Sequence, residues 1–105
     1  MGVDVQFYTV YGIKLSYDEC EEIIEELYES NLECVVDGMM GEYVVLGSIL
    51  SSFYAYGDEE QFTEMNVSNL EELKTKYKEK FNIMFPESKH LIEGEWKILT
   101  FVHYS

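Results

Sequence analysis

A chain of 105 residues with 47% hydrophobic and 15% aromatic content is long enough for one domain with a real core, and its aromatics exclude an intrinsically disordered acidic chain. The formal charge is −14 and all seven basic residues are lysine; an anionic surface without arginine forks argues against direct binding to nucleic acid or to an acidic membrane. No basic-then-apolar leader opens the chain and no apolar run nears the ~20 residues that span a bilayer, so the expected location is the cytoplasm.

Val3 to Leu15 reads as a strand. Val3, Val5, Phe7, Thr9 and Tyr11 fall on one face and Asp4, Gln6, Tyr8 and Val10 on the other. Two usable faces predict a central strand. Ser16 and Glu19 form an S-x-x-E capping box, in which each side chain satisfies the other's free backbone N–H. The helix it opens carries Cys20, Ile23, Ile24 and Leu27 on one stripe and should end near Asn31. Leu32 to Asp37 reads as a short strand, and Gly38-Met39-Met40-Gly41 as a turn into a second arm running from Glu42 towards Tyr56. Gly47 inside that arm predicts a bulge or bend. Met39 and Met40 at the tip either meet a partner or fold back on the sheet.

Gly57 to Val67 reads as an acidic loop. Ser68 and Glu71 form a second capping box, after which Leu70, Leu73, Tyr77 and Phe81 share one helical face until Pro86 blocks continuation. Residues 82–94 carry little periodic signal. Glu95 to Tyr104 is the last strand, with Trp96, Ile98, Thr100, Val102 and Tyr104 on one face and Leu99, Phe101 and His103 on the other. The order β-α-β-β-α-β predicts an α+β domain spanning residues 1–105. The expected fold is a ferredoxin-like sandwich: a four-stranded antiparallel sheet with two helices on one face, and the other face open or covered by a partner.

The acidity is concentrated. Between Leu15 and Leu73 the chain has 16 acidic residues and no Lys, Arg or His, so this window carries −16 and the remainder +2. Seven acids fall in the twelve residues from Asp18 to Glu29: Asp18, Glu19, Glu21, Glu22, Glu25, Glu26 and Glu29. In a continuous α-helix four like-charge pairs would stack at i,i+4, each destabilising by roughly 0.2–0.5 kcal/mol. Over about 18 Å of α-helix, seven charges approach the spacing of duplex phosphates, one per about 1.7 Å of axis. The stretch is therefore either a solvated helix face or a carboxylate array that grips a basic surface. The loop extends the array with Asp58, Glu59, Glu60 and Glu64. Phe62 and Met65 interrupt it, as interface anchors or as pins to the core.

No motif for catalysis is present: no glycine-rich phosphate loop, nucleophile elbow or HExxH. His90 and His103 with Cys20 and Cys34 lack the spacing of a zinc site, and the loop lacks that of an EF-hand. The two cysteines read as reduced, buried apolar residues. No enzyme, cofactor or metal is expected. Tyr8, Phe101 and His103 would lie on the uncovered sheet face as a contact for a protein, including a second copy of this chain.

In size and charge the chain resembles small acidic inhibitor proteins of bacterial viruses, some of which block DNA-binding enzymes by imitating DNA. That resemblance implies a viral protein and DNA mimic; the charge block itself points to a non-enzymatic binding protein whose first helix and 57–67 loop occlude the basic, nucleic-acid-binding surface of a partner protein. The alternative is an assembly module that oligomerises through its open sheet face, with the acids serving solubility.

Overall fold

Alternating side chains build the first strand, β1 (Val5–Ser16), which lies inside a four-stranded antiparallel sheet. The computed structural model describes residues 4–54, 65 and 67–105. After β1 come a 3-10 segment η1 (Asp18–Ile23), the short helix α1 (Ile24–Glu29), β2 (Cys34–Val36), β3 (Tyr43–Tyr54), α2 (Leu70–Met84), a second 3-10 segment η2 (Pro86–Ile92) and β4 (Lys97–Tyr104). The strand order is β2-β3-β1-β4, and each neighbouring pair is antiparallel. The domain is of the α+β class.

The helical elements pack on one sheet face. Tyr11 and Ile13 of β1 and Val44 and Leu46 of β3 meet Cys20, Ile23, Ile24 and Leu27 from the first helical stretch and Tyr77 and Phe81 from α2. The apolar residues of η1 and α1 recur at three-residue spacing on either side of the Ile23–Ile24 junction, which keeps one stripe on the core. Trp96 stands edge-on between Tyr11 and Tyr77, at ring distances of 5.4 and 5.6 Å, and donates its indole N–H to the Ile92 carbonyl at 3.0 Å. Truncating a fully buried side chain here, such as Leu27 or Phe81, should destabilise by about 2–5 kcal/mol.

Three expectations are corrected. First, the stretch from Ser16 to Asn31 is not one α-helix. The Ser16–Glu19 box forms as expected, with Glu19 N–H donating to Ser16 Oγ and Ser16 N–H to Glu19 Oε1, both at 3.2 Å. The chain then runs as 3-10 and breaks at Ile23 (φ −115°, ψ 2°) before six residues of α-helix. Of the four like-charge i,i+4 pairs, only Glu25–Glu29 lies wholly within α1, while the 3-10 segment brings Asp18 over Glu21 and Glu19 over Glu22 at i,i+3, so the acids stay close despite the break. Neither piece is long enough to be stable alone; packing decides its backbone. Second, residues 82–94 contain a further helical segment, so three helical stretches cover the sheet rather than two helices. Phe85 N–H closes α2 on the Phe81 carbonyl at 2.7 Å, and Pro86 starts η2 with its preset φ. A piece this short has too few turns to show periodicity, although it buries Leu91 and Ile92.

Third, the other sheet face is partly covered by the sheet itself. Gly12 of β1 pairs with Gly47 of β3. A Cβ at either position would fall on the partner strand's backbone, the Leu46 carbonyl oxygen for Gly12 and the Tyr11 carbonyl oxygen for Gly47. The two backbones approach closely here, and a bulge follows at Leu50, where β1 steps from Thr9 to Val10. The consequence is long-range. Tyr43 pairs with Ser16 and His103 with Gln6, ten residues apart along β1. In a flat strand that is about 33 Å. Yet Tyr43 Oη and His103 Nδ1 are hydrogen-bonded at 2.7 Å. The sheet therefore curls on itself, and Val10, Val35 and Val45 form a second small core inside the curl.

Gly12→Ala should lower the free energy of unfolding by about 2 kcal/mol or more, because backbone and not a flexible side chain occupies the space. Urea denaturation of the variant checks this; an unchanged midpoint would mean that the close approach does not need glycine.

Candidate functional site

The seven acids of the first helical stretch, Asp18 through Glu29, are all exposed. Among the described residues the ion pairs are Lys76–Glu72 at 2.9 Å, Lys78–Glu93 at 3.6 Å and Lys97–Glu95 at 4.0 Å, all in the second half of the chain. None involves η1 or α1. The acids fall on two sides of this stretch. Glu22, Glu26 and Glu29 turn towards the C-terminal end of α2 and line depressions there, whereas Asp18, Glu21 and Glu25 do not line them. Asp58, Glu59, Glu60, Phe62 and Glu64 lie outside the described residues. Met65 is exposed, as are Met39 and Met40 at the hairpin tip.

Beside Glu22, Glu26 and Glu29 lie side chains that sequence periodicity does not mark as a site. Ile83 is 81% exposed and Met84 41% exposed in the last turn of α2. Three adjoining depressions of about 270, 240 and 240 Å³ all share Met84. Glu87 from η2 joins the acidic rim, and Lys80 with Asn31 marks the far end. The signal available in the sequence is Ile83, off the stripe that Tyr77 and Phe81 bury; Met84 continues that stripe by spacing and is exposed because it stands in the last turn of α2.

Tyr8, Phe101 and His103 do come together, but inside the curl. Tyr8 stacks on Phe101 at 5.6 Å and meets His103 edge-on at 5.8 Å, and Tyr43 completes the cluster. His103 is only 7% exposed. Burial lowers its pKa below the ordinary histidine value, partly offset by the nearby Asp37 carboxylate. A cavity of about 240 Å³ next to this cluster is lined by Tyr43, Val45, Leu99 and Phe101, with Lys14 at its edge.

Asp37 is a buried acid that organises the hairpin tip. Its carboxylate accepts the N–H groups of Met40 and Glu42, each at 3.0 Å. Burial raises its pKa, but these bonds and one from Met39, with His103 nearby, outweigh burial and leave it below the usual carboxylate value. Asp immediately before a glycine-bounded turn is the sequence signal for this role. Gly41 takes the left-handed conformation the turn needs (φ 65°).

Cys20 and Cys34 are free thiols, and burial pushes Cys20 up to about 11. Among the described residues, no group of three or more His, Cys, Asp or Glu side chains is arranged to hold a metal ion, and no helix is long and apolar enough to cross a membrane.

The His103 shift sets a pH dependence. Its folded pKa lies below that of the unfolded chain, so its contribution is fully present above about pH 6.5 and is lost as the pH falls. The urea midpoint should therefore drop between pH 7 and pH 5, and His103→Gln should flatten that part of the change; an identical slope in the variant would remove His103 as its cause. No protein-family model, no curated protein and no solved structure matches the chain.

Proposed function

We propose that this chain is a small, acidic, non-enzymatic binding protein that inhibits a partner by covering a basic surface of the kind that holds nucleic acid. The observation that carries the reading is charge segregation: seven exposed carboxylates on η1 and α1, with none of the described ion pairs among them. An ordinary solvated surface intersperses both signs. Six residues of 3-10 and six of α-helix rise about 21 Å, so the array presents one charge per about 3 Å. That is close to the 3.4 Å phosphate spacing of about one DNA strand. The mechanism is competition, with electrostatic steering raising the association rate. Free Cys20 and Cys34 suit a reducing cytoplasm.

In the same reading the fold is a curled variant of the ferredoxin-like sandwich. Its support is the β-α-β-β-α-β order, with β1 and β3 central and β2 and β4 at the edges. The alternative, an assembly module, finds its support at β4 rather than in the curl. That edge strand exposes Ile98, Val102 and Tyr104, and an edge offers unpaired backbone groups to a second copy.

The chain immobilised on resin should retain from cell extract a basic nucleic-acid-binding protein that elutes with salt and is displaced by duplex DNA. The Glu22→Lys/Glu25→Lys/Glu29→Lys variant should retain about tenfold less, summing modest contributions from exposed charges. Retention unaffected by the reversal, or indifferent to duplex, would overturn the reading.

A further inference from the structure

The groove between α1 and the last turn of α2 combines three features. Its floor and wall are apolar, with Phe85 buried beneath and Met84 and Ile83 standing exposed. Its rim is acidic on two sides, with Glu22, Glu26 and Glu29 from the first helical stretch and Glu87 from η2. The last turn of α2, the negative pole of that helix, borders it. Met84 borders all four carboxylates, and Ile83, next to Lys80 and Asn31, extends the apolar wall; exposed apolar side chains against an acidic rim suit an apolar ligand that is also cationic. Phosphate backbones and anionic membranes have the wrong charge, and a second copy seated groove to groove would oppose acid to acid.

We propose that this groove is the docking site for a basic amphipathic helix of a partner protein. Its leucine-like stripe would lie on Ile83, Met84 and Phe85, and its lysines or arginines would face Glu22, Glu26, Glu29 and Glu87. Glu26 and Glu29 lie three residues apart within α1, so cations three or four residues apart on the incoming helix can face them, with Glu22 on the other side of the break at Ile23. The inference rests on the reading of the chain as an acidic binding protein and adds the chemistry of the segment it holds.

Fluorescence anisotropy with the full chain and two labelled lysine-rich peptides of about four helical turns tests it. One peptide carries leucines at helical spacing; the other has serines in their place, at equal charge. The leucine peptide should bind about tenfold tighter, from the apolar area it covers. Ile83→Ser/Met84→Ser should erase that advantage, and both side chains are exposed enough for the variant to fold, as far-UV circular dichroism would confirm. Glu26→Gln/Glu29→Gln should weaken both peptides, whereas Glu21→Gln/Glu25→Gln, away from the groove, should change the leucine preference little. Equal, salt-sensitive binding of both peptides would sink the groove and leave the acidic binding reading standing. Absence of binding by either peptide at low salt would sink both. A stable dimer that Ile83→Ser/Met84→Ser dissociates would assign the groove to a second copy instead.

Discussion

Two glycines facing each other across β1 and β3 allow the backbones to approach where any side chain would collide, and the architecture follows from that approach. With Gly12 and Gly47 in register, the sheet folds over its own second face. The start of β3 then reaches the end of β4, where Tyr43 and His103 meet. A chain of this length would otherwise have one sheet face to cover with helices and a second left to solvent or to a partner. Curling converts the second face into a small core of valines ringed by Tyr8, Tyr43 and Phe101. Aromatics that a flat sheet would display are thereby used in packing.

The curl also decides where binding chemistry can be. The concave face holds a buried imidazole, a buried carboxylate that is fully occupied with backbone N–H groups, and one lysine at the edge of a small cavity. The helical side carries the opposite character: exposed carboxylates, exposed apolar residues at a helix end, and depressions between them. Like charges so close together oppose folding, and the break at Ile23 leaves one i,i+4 acidic pair within α1 but sets Asp18 over Glu21 and Glu19 over Glu22 in η1. The core residues Cys20, Ile23, Ile24 and Leu27 hold both pieces against the sheet despite the break.

Much of the fold was legible because its signals are local. The strand alternation in Val5–Ser16 and Lys97–Tyr104, the Ser16–Glu19 box and the stripe ending in Tyr77 and Phe81 depend on neighbours a few residues away. The curl was not legible, although Gly47 was recognisable as a bend. What makes it a fold-over is that Gly12 stands opposite, and register is a non-local property. The broken first helix escaped for a related reason: its apolar stripe fits 3-10 and α geometry alike, and only repulsion plus packing selects between them. Of the candidate surface, the acids were visible as a charge block, but the division between those lining the groove and those away from it depends on where α2 ends. The proximity of Met84 to Glu22 and Glu26 is likewise a tertiary contact that no local pattern encodes.

Charge and apolar exposure have different physical reach, which explains why the two belong together on one face. Carboxylates act over about 8–10 Å at physiological ionic strength and speed encounter, but exposed pairs add little to final affinity. Apolar side chains act only on contact, and burying them supplies the affinity that charge does not. A surface with carboxylates alone would attract any cation and hold few of them, as expected for mere solubility. A surface with Ile83 and Met84 alone would be an aggregation liability. Placed on adjoining walls, the acids repel other copies of the chain and most anionic surfaces, while the apolar turn rewards only a cationic ligand that presents a matching stripe. In the proposed docking, selectivity would arise from requiring both conditions at once.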